Sequence, residues 1–268
     1  MTITSIQLQN DLRQTAHALA DAARPIALKY FRGAGLAVDN KLSEGFDPVT
    51  IADREIELAM RDILARRRPD DAIHGEEFGP KSGTSGLTWV LDPIDGTRSF
   101  ISGTPTWGVL IAVGPETGPE LGVIDQPFTA ERYIGAFGQA EVTHNGKTRE
   151  ITVRGCRDLQ DAVLFSTFPE VGTNNERLAF ERVRDQVKLT RYGTDCYAYA
   201  LLASGQIDLI IEAGLNAYDI QGPLALIQQA GGIVTNWQGG PAHDGGQVIA
   251  AGDAAVHRAA LALLSEQG

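Results

Sequence analysis

An α/β protein is the fold the sequence predicts, with an α+β N-terminal lobe built on an antiparallel sheet and an α/β C-terminal lobe. Three observations predict it. A long amphipathic helix opens the chain, a series of closely spaced apolar segments joined by turns fills its middle, and from about Arg154 strand-like segments alternate with helix-like ones. Neighbouring strands joined by turns favour antiparallel pairing, whereas strand–helix alternation favours an α/β lobe. The change of pattern sets a boundary near Gly155, with residues 1–154 and 155–268 as two lobes of one compact unit.

Each element follows from local pattern. Leu8, Leu12, Ala16, Leu19, Ala23 and Ile26 recur at helical spacing from about Ile6 to Phe31, with Pro25 inside the pattern as a potential kink. Val38 to Leu42 reads as a short strand, followed by the polar turn Ser43-Glu44-Gly45-Phe46. A second helix runs from the Asp47–Asp53 segment to about Arg67, with Ile56, Met60, Ile63 and Leu64 on its apolar face. Ala72–Gly75 and Trp89–Leu91 are strand-like, separated by the glycine-rich stretch Lys81–Gly86. Strands are expected again at Thr106–Val113, Leu121–Asp125 and Arg132–Ala136, and Asn145-Gly146 predicts a tight hairpin. Beyond the boundary, strands are expected at Ala162–Phe165 and Ile207–Ile211, and helices at Asn174–Val187, Asp195–Ala203 and Asp219–Ala230. Pro223 is placed in the first turn of the last of these, where proline is tolerated.

Composition narrows the function. The 268 residues, 43% of them hydrophobic, suffice for a sizeable core. Lys and Arg number 23 against 34 Asp and Glu, a formal net charge of −11. Such a chain is poorly suited to follow a nucleic-acid backbone or an anionic membrane. The two cysteines, Cys156 and Cys196, imply no disulfide framework and point to a reducing compartment. The N-terminal residues lack a signal-peptide pattern and no segment is long enough to span a bilayer, so a cytoplasmic protein is expected.

The chemistry centres on Trp89-Val90-Leu91-Asp92-Pro93-Ile94-Asp95-Gly96-Thr97-Arg98-Ser99-Phe100. An apolar run ends at Leu91, and two carboxylates follow at once. Carboxylate and carbonyl oxygens are hard ligands suited to Mg²⁺ or Mn²⁺. The polar run after Asp95 can open a helix whose free amides suit a phosphate. On its own the segment also reads as an Asp-rich turn with a solvated face. An acidic chain acting on phosphates needs its like charge cancelled, which divalent cations do.

Taken whole, Asp92-Pro93-Ile94-Asp95-Gly96-Thr97 resembles the signature of the inositol monophosphatase family of Mg²⁺-dependent, lithium-sensitive phosphatases. The resemblance extends to Asp47-Pro48-Val49-Thr50-Ile51-Ala52-Asp53, Gly75-Glu76-Glu77 and Ala217-Tyr218-Asp219 through Gln229-Ala230-Gly231-Gly232. Three positions depart from the common pattern: Tyr218 stands for tryptophan, Gln221 for a small residue and Gln229 for glutamate. The resemblance implies a layered α-β-α-β-α sandwich of the inositol monophosphatase and fructose-1,6-bisphosphatase type. It implies two or three Mg²⁺ ions, with Mn²⁺ as an alternative. Glu76 and the Ile94 carbonyl would hold the first ion, Asp92 would bridge two, and Asp95 and Asp219 would hold the second. Asp47, Thr50 and Thr97 would hold the attacking water, with Glu77 in support, while the Gly96 and Thr97 amides face the phosphate. Asp47 or Thr50 can equally be the N-cap of the following helix, and Asp219 the cap of its own. A non-catalytic metal- or phosphate-binding regulator on this fold would be expected to lack a ligand, yet Glu76, Asp92, Asp95 and Asp219 are all present.

Other segments bear on the substrate. Thr97-Arg98-Ser99-Phe100-Ile101-Ser102-Gly103 and Tyr192-Gly193-Thr194-Asp195-Cys196-Tyr197-Ala198-Tyr199 resemble the histidinol-phosphate phosphatases of the family. Histidinol phosphate carries an amine and an imidazole, both able to be cationic near neutral pH. The resemblance puts Arg98, Asp195, Glu212 and Asp219 at the leaving-group end, though Asp195 can also be an N-cap. An inositol-1-phosphatase or a broad sugar-phosphate phosphatase is the alternative within the family. His74 and His144 are expected to be structural or exposed. A homodimer is expected by analogy with the family, with a small-molecule ester rather than nucleic acid or membrane as partner.

Overall fold

A computed structural model describes residues 3–33, 38–40 and 48–265. Helix α1 (Ile6–Tyr30) is capped by the Ser5 hydroxyl, which accepts from the Leu8 amide, and runs on through Pro25. Strands β1 (Val38–Asn40) and β2 (Pro48–Thr50) pair antiparallel ahead of α2 (Ile51–Arg67). The end of the first expected strand, from Lys41, the turn Ser43–Phe46 and Asp47 lie outside the described residues. There follow β3 (Ala72–Gly75), β4 (Thr88–Asp95), α3 (Thr97–Ser102), β5 (Gly108–Gly114), β6 (Leu121–Gln126), β7 (Glu131–Ala136), β8 (Gln139–His144) and β9 (Lys147–Glu150). The C-terminal part comprises β10 (Val163–Ser166), α4 (Asn174–Arg184), β11 (Leu189–Tyr192), α5 (Tyr197–Ala203) and β12 (Leu209–Leu215). It ends with α6 (Ala217–Gln229), β13 (Ile233–Thr235), β14 (Gly246–Ala251) and α7 (Ala254–Ser265).

Among the described residues β3 to β9 form a seven-stranded sheet in chain order, antiparallel except for the parallel β3–β4 pair. Asn145 and Gly146 turn the β8–β9 hairpin with φ of +50° and +72°, as an Asn-Gly pair allows at low cost. The second sheet has the order β11-β10-β12-β14-β13 and is mixed: β10 pairs parallel with β11 and β12, while β14 is antiparallel to both its neighbours.

The layers alternate. Helices α1 and α2 cover one face of the seven-stranded sheet, α5 and α6 lie between the two sheets, and α4 and α7 cover the far face of the second. Each interface has its own apolar core, represented by Trp89 and Leu19, by Leu110 and Leu226, and by Phe180 and Ile249. This is the α-β-α-β-α sandwich expected. Helix α6 sits unusually close to the first sheet: a Cβ built on Gly122 of β6 would fall 2.1 Å from the Gly222 carbonyl oxygen. Only glycine lets the backbones approach so closely. No helix among the described residues is long and apolar enough to cross a membrane.

Three expectations are corrected. Strand β4 does not stop at Leu91 but continues through Asp95. Pro223 is the seventh residue of α6, not part of its first turn, because that helix begins at Ala217. Its missing N–H removes the bond that the Asp219 carbonyl would otherwise accept. Helix α5 begins at Tyr197, so Asp195 precedes its N-cap, Cys196.

Candidate metal centre and ester pocket

The end of β4 decides where two carboxylates point. Asp92 pairs with Leu110 and Asp95 with Gly108, so three steps along β4 match two along β5. In a regular strand residues three apart face opposite sides. The bulge absorbs the extra residue and turns both carboxylates to one side. Pro93, which has no N–H to offer the ladder, sits within it. The buried Asp92 carboxylate accepts the Ile94 amide at 3.0 Å, which fixes its rotamer. Asp95 accepts the Cys196 amide at 2.7 Å.

Asp219 comes from the first turn of α6. Asn216 is the N-cap, and Asp219 reaches back to accept its amide at 2.6 Å, so Asp219 is the reciprocal partner in a capping box rather than the cap. Asp92, Asp95 and Asp219 each bring a carboxylate oxygen to within 4.8 Å of the others. Burial, then the charges of Glu76, Asp95 and Asp219, push the Asp92 carboxyl well above the usual range. Burial and then Asp219 and Asp195 do the same to Asp95. Acidic groups so arranged repel one another unless a cation lies among them, and an all-oxygen donor set fits a hard divalent cation.

A second acidic group lies alongside: Asp53, Glu76 and Glu77 also bring oxygens within 4.8 Å of one another. Glu76 follows β3 directly, and its amide donates to the Leu91 carbonyl at 3.2 Å. The buried Glu57 carboxylate accepts the amides of Glu77 at 2.7 Å and Phe78 at 3.3 Å, and so shapes this turn. Thr50 is the N-cap of α2, with Asp53 in the capping box. The Thr50 amide and hydroxyl both donate to Asp53, at 2.8 and 2.5 Å. Burial nevertheless raises the Asp53 carboxyl to about 6.

The remaining candidates converge on one pocket of about 290 Å³. Glu76, Asp92, Ile94, Asp95, Gly96, Thr97, Arg98, Asp195, Glu212 and Asp219 all line it, whereas Thr50 does not. Gly96 adopts a left-handed conformation at the start of α3, with φ +81°. A Cβ there would fall 2.7 Å from the Asp195 Cγ, so Asp195 occupies the space a side chain would need. The Thr97 hydroxyl donates to the Ile94 carbonyl at 3.1 Å. The exposed Arg98 guanidinium lies 5.0 Å from the Phe168 ring centroid, within cation–π range.

Asp195 is not a helix cap. Its Oδ2 accepts the hydroxyls of Ser99 at 2.6 Å and Thr106 at 2.5 Å, both from the region after β4. Glu212 lies where β12 departs from its register with β14, since Glu212 pairs with Val248 and Leu215 with Gly246. Its Oε1 accepts the Thr167 amide and hydroxyl, both at 2.8 Å, and burial pushes the carboxyl up to about 7. His74 and His144 are exposed and belong to neither acidic group.

Several lining or supporting residues were not foreseen. Glu57 reads in the sequence as an ordinary residue of an amphipathic helix. Thr167 and Phe168 carry no motif, although polar residues just past a parallel strand are a recognisable signal. Tyr199 stands in the sequence only as the end of the Tyr192–Tyr199 segment, yet it lines the pocket.

The model of the inositol monophosphatase family matches residues 8–267. The chain is 44% identical over 256 residues to the bifunctional phosphatase IMPL2, chloroplastic, of Arabidopsis thaliana, covering 91% of this chain and 72% of that protein. It is 32% identical to the histidinol-phosphatase of Mycobacterium tuberculosis, covering 91% and 94%. The solved structure of an inositol monophosphatase from Zymomonas mobilis matches 98% of this chain and 100% of its own, with a TM-score of 0.84 and 38% identity. With its fold, its acidic pocket and its sequence thus in agreement, the chain belongs to the inositol monophosphatase family, whose members are metal-dependent phosphoric monoester hydrolases.

Proposed function

We propose that the protein is a Mg²⁺-dependent histidinol-phosphate phosphatase, which converts L-histidinol phosphate and water to L-histidinol and phosphate. One observation supports this most directly: the pocket that holds Asp92, Asp95 and Asp219 is lined by two further acidic residues, Asp195 and Glu212, which lie outside that cluster. A polyol leaving group can donate its hydroxyls to Glu212 but does not need the charge of Asp195, whereas a leaving group bearing an amine and an imidazole gains from it. The similarity to histidinol-phosphatases supports the same reading.

In this reading Glu76, Asp92, Asp95, Asp219 and the Ile94 carbonyl would hold the divalent cations. Mg²⁺ bound there supplies Lewis acidity and neutralises charge on the phosphoryl oxygens and the leaving alkoxide. The chain's own groups do the rest. Thr97, with Thr50 and Asp47, positions the attacking water; the Gly96 and Thr97 amides orient the phosphate. Arg98, Asp195, Glu212 and Asp219 hold the leaving group.

The test is a panel of histidinol phosphate, inositol 1-phosphate and fructose 1,6-bisphosphate, assayed with Mg²⁺ and with chelator. We expect kcat/KM for histidinol phosphate to exceed the others by about tenfold or more, and all turnover to stop in chelator. Comparable turnover of all three esters would replace the narrow reading with a broad phosphatase. Full turnover without divalent cations would remove the metal-based reading altogether.

A further inference from the structure

Among the large apolar side chains that the described residues leave exposed, Phe168 alone lines the ester pocket, with 44% of its surface accessible. A single exposed apolar side chain is ordinary on a protein surface. What sets this one apart is how firmly its backbone is held. The preceding residue, Thr167, donates both its amide and its hydroxyl to Glu212. The Gly193 amide, two residues ahead of Asp195, donates to the carbonyls of Ser166 at 3.2 Å and Thr167 at 3.1 Å. The Ser166 hydroxyl donates to the Phe168 carbonyl at 3.4 Å. Phe168 is thus mounted on a short backbone segment tied both to Glu212 and to the segment that carries Asp195. A ring on a fixed backbone offers a contact face at little entropic cost.

The neighbour of the ring shows what that face accepts. The Arg98 guanidinium, which also lines the pocket, lies 5.0 Å from the ring centroid. A guanidinium is a planar, delocalised N–C–N cation. A protonated imidazole carries the same N–C–N unit in a flat ring. An aromatic face attracts such a cation and also stacks on the neutral ring, so the contact holds in either protonation state. The same face carries partial negative charge and does not suit phosphate oxygens. Arg98 is itself exposed, so a substrate ring can take its place without uncovering a buried charge.

We propose that the Phe168 ring is the wall against which the imidazole of the leaving group stacks, and so a specificity-determining residue of this pocket. The inference rests on the histidinol-phosphate reading above and adds a contact to it.

The test compares Phe168→Leu and Phe168→Trp with wild type, in the full chain with Mg²⁺. Leucine keeps apolar bulk without a π face, whereas tryptophan offers a stronger one. Three quantities are measured: KM and kcat for histidinol phosphate, inhibition by inorganic phosphate, and Tm. We expect KM to rise about three- to tenfold in Phe168→Leu and to stay within about twofold of wild type, or fall below it, in Phe168→Trp. In both variants kcat and the inhibition constant of phosphate should stay within about twofold, and Tm should hold because the side chain is exposed. An unchanged KM in Phe168→Leu overturns the inference. So does an equal rise in both variants, since the π face then contributes nothing. A parallel loss in kcat and phosphate affinity, or a fall in Tm, points to a structural role and overturns it too. If wild type fails to hydrolyse histidinol phosphate, the functional reading falls and this inference with it. If wild type is active and Phe168→Leu keeps its KM, only the inference falls.

Discussion

Glu212 keeps two hydrogen bonds from Thr167 and still titrates near 7, because burial outweighs them. Its folded value stands above the ordinary 4.5 of a glutamate. The stability linked to it is thus fully present below about pH 4.5 and is lost as pH rises through about 7, amounting to roughly 3 kcal/mol. Glu212→Gln removes that titration. In chelator, the Tm of the variant relative to wild type should rise between pH 5 and pH 8 by several degrees. An equal difference at both pH values would show that Glu212 is not the group responsible. At this scale residue type alone leaves Asp92 and Asp95 readable as an Asp-rich turn and Asp219 as a helix cap. They could be named because their segments resemble the inositol monophosphatase pattern. The hydroxyls that hold Asp195 could not be foreseen, because Ser99 and Thr106 are about 90 residues away from it and their side chains advertise nothing.

At the scale of elements, two bulges and one helix arrange the site. The irregularities after Asp92 and after Glu212 each place a site carboxylate where the strand leaves its regular ladder. Neither is visible in sequence, since a bulge is defined by the partner strand and not by the strand that carries it. The apolar runs, by contrast, predicted most strands to within a few residues. The short β11, β13 and β14 were not read individually, and neither was the extent of α7. Helix α6 carries Asp219 and rests directly on Gly122. Gly122→Ala would force these backbones apart and should destabilise the protein by about 1–3 kcal/mol, or more. It should also weaken the stabilisation that Mg²⁺ gives, because Asp219 moves with the helix. Thermal unfolding with and without Mg²⁺ checks both; a variant with wild-type Tm and an unaltered Mg²⁺ response would contradict the packing argument.

For the whole molecule the dominant electrostatic fact is an excess of acid, a net charge of −11 with mutually repelling carboxylates gathered in one pocket. A cation that binds only the folded state stabilises it by mass action, about 2.7 kcal/mol at one hundred times its Kd. Adding Mg²⁺ should therefore raise Tm by several degrees, and Asp92→Asn should abolish most of the rise. An equal rise in wild type and variant would place the cation elsewhere. The fold class was legible at this scale because sheet-rich and alternating stretches follow one another along the chain. The strand order of the second sheet was not, since β14 inserts beside β12 only through contacts between residues far apart in sequence.

The pocket is walled by two sheets: Asp92 and Asp95 stand on β4 of the first, while Glu212 belongs to β12 of the second and Thr167 directly follows β10. If Glu212 grips the leaving group as proposed, that grip and the carboxylates of β4 are mounted on separate frames. Changes at the ends of β10 and β12 would then alter the diet of the pocket while the β4 blade stays untouched.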